Sequence, residues 1–399
     1  MGNQMELSFP MSVSTSPSVL SRRCIVDDMQ PAFERPKVAE FFAGIGLVRL
    51  ALERVGFEVV WANDIEPIKQ RIYLSNFGSA DFHLGDVREV FGADIPNVDV
   101  ATASFPCTDL SLAGWRRGLA GAGSGLFWEF ARIIEEMGER RPAVVLLENV
   151  PAFATSRGGE DLRVAVERLN SLGYWCDLLQ IDARRFVPQS RPRMFVVGVQ
   201  SRVADRPVQV DSVRPRHLLN FSSRHSSLLI QATPLPGIPH GEHCLSSVVE
   251  RFKSADAIWW GADRTEKFVH SLVPLQAERL QKLKSGSSTV WRTAYRRTRN
   301  GVALWEVRAD AIAGCLRTAR GGSSKQAVVE AGHGEVRVRW MTAREYARLQ
   351  GVPDSFNFDA VSSNQAMFGF GDAVCVPVVE WVARHVLLSM LANPVAVAS

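Results

Sequence analysis

Four short blocks hold the side chains of this chain that are equipped for chemistry: Glu40-Phe-Phe-Ala-Gly-Ile-Gly46, Phe105-Pro-Cys107, Glu148-Asn-Val150 and Gln189-Ser-Arg-Pro-Arg193. Cys107 is the nucleophile of the set. A free thiol with a pKa of about 8.5 is only a few per cent thiolate at neutral pH, so a helix N-terminus or a nearby arginine has to activate it. Glu148, if protonated, can donate to a ring nitrogen and stabilise the charge that nucleophilic addition pushes into a ring. Asn149 beside it can fix its orientation. In the last block, strand alternation brings Arg191 and Arg193 to the same side, within reach of one pocket. A nucleophile, an acid and two cations suit covalent addition to an electron-poor ring. Each block alone has a plainer account: a buried inert cysteine, a turn cap before Pro151, a structural salt bridge. Their order along the chain joins them.

The first block brings a different function. Gly44 and Gly46 fall in the turn between a predicted strand and helix, where backbone can approach a ligand and the helix N-terminus presents free N–H groups. An ordinary tight turn uses the same glycines. The dinucleotide fingerprint Gly-x-Gly-x-x-Gly is not completed, because its third glycine position is Arg49, so a pyrophosphate is disfavoured. Asp64 ends the second predicted strand, where a carboxylate can accept both hydroxyls of a ribose, and Asp86 follows a third in Gly85-Asp-Val87. Either acid alone serves as a loop cap; together with the glycine turn they outline a nucleoside grip.

To bring these blocks together the chain needs a sheet whose carboxyl edge collects them. Alternating β-rich and amphipathic runs predict strands over 38–42, 58–62, 98–103, 143–147, 177–181 and 193–199, and helices over 47–55, 126–140 and 161–172, the rhythm of a mostly parallel sheet. After about 201 the rhythm breaks among Pro207, Pro215, Pro234, Pro236 and Pro239, which sets a domain boundary near 200. Regular pattern returns over 341–349, with Thr342 as N-cap and Glu345 as its capping-box partner.

At 399 residues, 46% hydrophobic and 22% charged, the chain is long enough for two domains and a sizeable core. A net charge of +4 is too small to require a polyanionic partner. The six cysteines form no Cys-x-x-Cys, and the cluster His240, His243 and Cys244 has no second pair nearby, so neither a zinc site nor a disulfide framework is expected. A reducing, cytoplasmic setting follows from that usage. Residues 1–36, rich in Ser, Pro and Met, read as a mobile leader or an overlong start. The apolar run 376–397 carries Glu380, Arg384, His385 and two prolines, which argues against a membrane span.

From about Lys37 to its last helix the chain resembles the DNA (cytosine-5)-methyltransferases of prokaryotic restriction-modification systems. The four blocks carry the resemblance, together with Val338-Arg-Trp-Met-Thr-Ala-Arg-Glu-Tyr-Ala-Arg-Leu-Gln-Gly-Val-Pro-Asp-Ser-Phe356 and Phe368-Gly-Phe-Gly-Asp-Ala-Val-Cys-Val-Pro377. It implies an α/β fold, Rossmann-like and S-adenosylmethionine-dependent, with residues 37–200 completed by 362–399 and a smaller target-recognition domain over 201–361. It implies S-adenosyl-L-methionine as cofactor, with Phe42 against the adenine, Asp64 on the ribose, and Asp86 and Val87 near the adenine edge. The backbone of Ala43, Gly44, Ile45 and Gly46 would face the methionine portion, with Ile65, Pro106 and Asp372 in the same pocket. It further implies double-stranded DNA as substrate and a flipped-out cytosine. Cys107 would add to carbon 6, Glu148 donate to N3, Arg193 hold O2, and Arg191 steady the cysteine loop and substrate backbone. Carbon 5 then takes the methyl group, a base removes its proton, and Cys107 leaves.

The segment 201–334 is where such enzymes keep their variable recognition region. Here it contains Trp291-Arg-Thr-Ala-Tyr-Arg-Arg-Thr-Arg299, so Arg292, Arg296, Arg297 and Arg299 are candidate DNA contacts, followed by Arg317, Arg320 and Lys325 around a glycine turn. A solvated basic face is the alternative. Three residues depart from the family pattern: Asp372 stands where Asn is usual, Thr108 where Gln is frequent, and Cys315 where Thr is common. A transfer-RNA cytosine-5 methyltransferase shares the same core, and a catalytically silent DNA-binding relative is the non-enzymatic reading. A monomer working beside a cognate restriction endonuclease or defence-system proteins is the expected setting, with no metal. The target sequence is not legible, since readout depends on where a few side chains sit in space.

Overall fold

Strand β1 (Lys37–Phe41) lies in the middle of a seven-stranded sheet, and its burial explains why. Alternation sends Val38 to one face and Ala39 and Phe41 to the other, and each face has its own apolar core. A strand covered on both sides is the signature of an α/β sheet. The computed structural model describes residues 34–106, 125–201, 209–299, 301–317 and 325–392. Residues from Arg35 onward cluster as one compact unit.

The sheet adds β2 (Glu58–Asp64), β3 (Phe82–Leu84), β4 (Val100–Ala103), β5 (Val144–Asn149), β6 (Trp175–Asp182) and β7 (Pro192–Val199), in the order β3-β2-β1-β4-β5-β7-β6. Strands β1 to β5 run parallel, as the rhythm predicts, but β7 runs antiparallel to both β5 and β6. Hydropathy carries no strand direction, so this reversal is not legible in the sequence. Its consequence is direct: the start of β7 lies at the same edge as the carboxyl ends of β4 and β5, with Glu148 opposite Phe195 and Asn149 opposite Met194.

Helices α1 (Leu47–Val55), α2 (Pro67–Phe77), α3 (Leu126–Glu136), α4 (Ala152–Thr155) and α5 (Glu160–Ser171) connect these strands. Gly46 enters α1 at φ 83°, and a Cβ there would collide with the rings of Tyr73 and Phe77, so only glycine fits. Helix α3 buries Phe127, Phe130, Ala131, Ile133 and Ile134 against the sheet. Each large side chain so buried contributes about 1.5–3 kcal/mol.

Beyond α6 (Arg216–Arg224), α7 (Ala262–His270) and α8 (Pro274–Lys284) pack on a second sheet. It consists of β8 (Val290–Arg299), β9 (Val302–Val307), β10 (Ala327–Gly332) and β11 (Glu335–Trp340), all antiparallel, in the order β11-β10-β8-β9. Trp260, Phe268, Trp305 and Trp340 interlock in tilted and edge-to-face pairs in this core. The many arginines in β8 mask its strand character in the sequence, where the region shows no regular pattern before residue 341.

Helix α9 (Ala343–Leu349) begins at the predicted capping box of Thr342 and Glu345. Glu345 also pairs with Arg339, and both side chains are fully buried. The chain then returns to the large sheet through α10 (Ser363–Asp372), α11 (Val376–Val382), a π-helical turn over Ala383–Leu387 and α12 (Leu388–Ala392). The run Ser363–Ala392 is apolar and long enough for a membrane span by composition alone, but 61% of its most apolar window is buried inside the protein. Helix α11 packs on α1, as a core helix does.

Candidate active site

The polypeptide leaves β4 through Ser104, Phe105 and Pro106. Phe105 is buried between the rings of Phe127 and Phe153, at centroid distances of 5.9 and 5.7 Å. Its carbonyl accepts a hydrogen bond from Asn149 Nδ2 at 3.1 Å, while Asn149 Oδ1 accepts the N–H of Val150 at 2.8 Å. Asn149 was expected to orient Glu148; these bonds instead tie the end of β5 to the stem of the loop that carries Cys107. A strand alternates its side chains, so neighbours 148 and 149 point to opposite faces and serve different groups. Cys107 and Thr108 lie outside the described residues.

Glu148 and Arg193 meet at this edge, with Arg193 Nε 3.0 Å from Glu148 Oε1 and both side chains mostly buried. Burial pushes the Glu148 carboxyl up, against the pull of Arg193 and Arg191 and a hydrogen bond with Ser104. The carboxyl therefore keeps its proton to higher pH than a free glutamate, the state needed to donate to a ring nitrogen.

Arg191 differs from its expected role. It is buried, and it donates to Leu316 O at 2.9 Å, to Ala373 O at 2.6 Å and to Gly371 O at 3.2 Å. These bonds join β7 to the strap beyond β9 and to the end of α10. The physical reason is burial: a guanidinium whose two terminal nitrogens are turned to three main-chain carbonyls is held inside that junction rather than offered to a substrate backbone. Its expected partner, the cysteine loop, lies outside the described residues. Cys315, which the sequence marks only as a departure from the family pattern, lies 3.3 Å from Arg191 Nη1 and 3.9 Å from both terminal nitrogens of Arg193. Burial would raise its thiol, but Arg191 and Arg193 hold it below the ordinary value.

On the nucleoside side, Gly44 and the non-glycine Phe42 both take left-handed backbone, at φ 59° and 57°. Asp64 is buried, and its carboxylate accepts the Gly44 N–H at 2.8 Å and the Glu66 N–H at 2.9 Å. It thus fixes the glycine turn to the start of α2, and each oxygen keeps a second lone pair for a ligand. Asp86 caps a short 3-10 turn, accepting the Arg88 N–H at 3.0 Å, and forms a forked pair with the Arg88 guanidinium. That is the loop-cap account of Asp86, and it leaves the acid engaged; Val87 behind it is buried. Ile65 and Leu84, 58% and 44% exposed, stand at the carboxyl ends of β2 and β3 and offer an apolar slot. Leu84 escapes sequence reasoning because a lone leucine in a three-residue strand gives no signal.

Glu40 likewise escapes it as a functional candidate in its own right. It is 1% exposed, neither carboxyl oxygen has a hydrogen bond of normal geometry, and burial pushes it up to about 8. Arg49 opposes that shift, but its guanidinium is already shared among Glu53, Tyr73 and Asp81. At the far side of the turn, Gly369 of α10 packs so closely on Ile45 that a Cβ would lie 2.8 Å from it. Asp372, three residues on, sits 3.2 Å from Lys69 of α2.

The basic strand divides. In β8, Ala294 opposite Val307 and Arg296 opposite Trp305 share the face packed on α7 and α8, and Arg292 alternates onto that same face. Arg297 lies on the other face, against Glu306 at 3.5 Å and over the ring of Tyr295. The pleat therefore cannot present all four arginines to one surface. Arg317 is exposed, and Lys325 is held by Asn364 at 3.1 Å. Arg320 and the side chain of Arg299 lie outside the described residues. Among the described residues, no group of three His, Cys, Asp or Glu side chains could hold a metal ion.

The chain is similar to known proteins along most of its length. The sequence profile for C-5 cytosine-specific DNA methylase matches residues 36–387. The Type II methyltransferase M.Bsp6I of Bacillus sp. (strain RFL6) is 28% identical over 361 residues, covering 89% of this chain and 99% of that protein. The Type II methyltransferase M.DsaV of Dactylococcopsis salina is 30% identical over 353 residues, covering 88% and 86%. Among solved structures, the S. pombe Dnmt2 methyltransferase shares the fold with a TM-score of 0.57 at 18% identity, over 91% of this chain and 100% of that one. A family match that runs from β1 to the π-helical turn spans both the reactive edge and the second sheet, and on that ground the chain belongs to the C-5 cytosine-specific DNA methylase family.

Proposed function

We propose that this chain methylates carbon 5 of cytosine within one short duplex DNA sequence, as the modification half of a Type II restriction-modification system in the cytoplasm. The observation that carries the reading is the buried Arg193–Glu148 pair, 3.0 Å apart, on the sheet edge where Asn149 tethers the stem of the Cys107 loop. An acid whose burial favours its protonated form meets a guanidinium there, beside the stem of the segment that leads to Cys107.

Cys107 adds to carbon 6 of the flipped cytosine, which makes carbon 5 electron-rich. Glu148, whose burial favours the protonated form, donates toward N3 and Arg193 holds O2, so the charge driven into the ring meets two fixed partners. Carbon 5 takes the methyl group, a base accepts its proton, and the electron pair released expels Cys107 as thiolate while N3 returns its proton to Glu148. The cofactor pocket fits S-adenosylmethionine: a Cβ at Gly44 would make no contact closer than 3.9 Å, Asp64 keeps lone pairs for a ribose, and Ile65 and Leu84 offer apolar surface. Bound there, that cofactor supplies the methyl group on a sulfonium centre. Phe42, Asp64, Ile65, Val87 and the 43–46 turn would hold it. Residues 37–200 with 362–399 act as the catalytic domain and 201–361 as the recognition domain, working as a monomer on DNA.

The test is to incubate the protein and its Cys107→Ala variant with mixed-sequence duplex DNA and S-adenosylmethionine, then map 5-methylcytosine at base resolution. Methylation at one short motif, absent in the variant, is the expected result. Turnover by Cys107→Ala refutes the covalent step, and methylation of folded RNA without DNA refutes the DNA reading.

A further inference from the structure

Asp372, where the resemblance implies an asparagine, has a partner in the structure. Lys69, on the first turns of α2, places Nζ 3.2 Å from Asp372 Oδ2, and its side chain is only 17% exposed. Burial works against its charge, but Asp372, Asp64 and Glu66 together hold the ammonium protonated. Each of these acids has a fixed place. Asp64 binds the Gly44 N–H and the N–H of Glu66. Asp372 closes α10, which is packed on Ile45 through Gly369 and locked from behind by Arg191 on Gly371 O and Ala373 O. Helix α10 and the glycine turn are thereby packed against each other. Lys69 is the cation set among the three acids.

We infer that Lys69 is a positioning residue for the cofactor, acting through Asp372: it neutralises the carboxylate that replaces a neutral amide and clasps α2 to the end of α10 beside the glycine turn. The inference rests on the proposed S-adenosylmethionine pocket. Without Lys69, Asp372 faces Asp64 and Glu66 with no compensating charge and would repel the carboxylate of the amino-acid end of the cofactor. Like charges in a partly buried site interact more strongly than in water. The nucleoside end, gripped at Ile65, Leu84 and Val87 with Asp64 on its ribose, carries no charge for Asp372 to repel and should feel the change far less.

The experiment is calorimetric titration of the full chain with S-adenosylhomocysteine and with 5′-methylthioadenosine, which keeps the nucleoside but lacks the amino-acid end. Lys69→Gln should weaken S-adenosylhomocysteine binding at least tenfold while leaving 5′-methylthioadenosine within threefold of wild type. The double variant Lys69→Gln with Asp372→Asn, which restores a neutral wall, should return S-adenosylhomocysteine to within threefold. Unchanged S-adenosylhomocysteine affinity in Lys69→Gln, equal weakening for both ligands, or no rescue by the double variant each overturns the inference while leaving the pocket assignment standing. Wild-type protein that binds neither ligand overturns the pocket assignment and the inference with it.

Discussion

Replacing Glu40 by Gln should change the pH dependence of stability, and the change can be worked from its surroundings. Glu40 is fully enclosed in β1, its oxygens lack hydrogen bonds of normal geometry, and Arg49 is occupied by other partners. The folded state therefore holds its proton up to about 8, whereas the unfolded chain releases it near 4.5. Between those values the folded state binds more protons than the unfolded one, so stability falls as pH rises. The contribution is fully present below pH 4.5 and lost as pH climbs through about 8. Each pH unit in that window is worth about 1.36 kcal/mol, so from pH 5.5 to 8 the wild type should lose about 3 kcal/mol relative to Glu40→Gln. Urea unfolding of both proteins at half-unit pH steps, without cofactor, measures the difference. The slope is decisive, because an amide in the same place shifts the absolute stability by its own amount. A difference that stays flat from pH 5.5 to 8 would refute the claim that Glu40 is buried as the neutral acid.

Asn149→Ala removes a buried hydrogen bond to Phe105 O and leaves that carbonyl unsatisfied, at about 1–3 kcal/mol. We expect kcat to drop tenfold or more with S-adenosylhomocysteine affinity unchanged, and a wild-type kcat would remove the tether from the mechanism. Glu345→Ala strips the partner from fully buried Arg339 and should cost about 3–5 kcal/mol in denaturant unfolding. An effect below about 1 kcal/mol would mean that water or Glu250 compensates the arginine. For DNA binding, the Tyr295 and Arg297 face of β8 is the one not packed on α7 and α8. Arg297→Ala should lower the dependence of log K on log salt by about 0.9 for each phosphate that the arginine neutralises, while Arg296→Ala leaves it unchanged. The reverse pattern would place DNA on the α7 and α8 side.

The reactive residue types and the parallel half of the sheet were legible in the sequence, because both are local. A thiol is a nucleophile wherever it sits, and helix α1 is set by apolar spacing and two flanking glycines, which put its limits at Leu47–Val55 in pattern and in fold alike. The capping box at Thr342 and Glu345 was legible for the same reason, being complete within four residues. What the tertiary structure alone decided are relations across long separations. The antiparallel entry of β7 carries Arg193 to Glu148, and no period in hydropathy records strand direction. The division of labour between the arginines, one on the acid and one among main-chain carbonyls beyond β9 and at the end of α10, follows from where Leu316, Gly371 and Ala373 arrive. Asp86 turned out to be engaged by a residue two positions away, whereas Asp372 met Lys69 from the opposite end of the chain. In each of these cases a charge takes its role from what surrounds it, and burial and partners are properties of the folded chain.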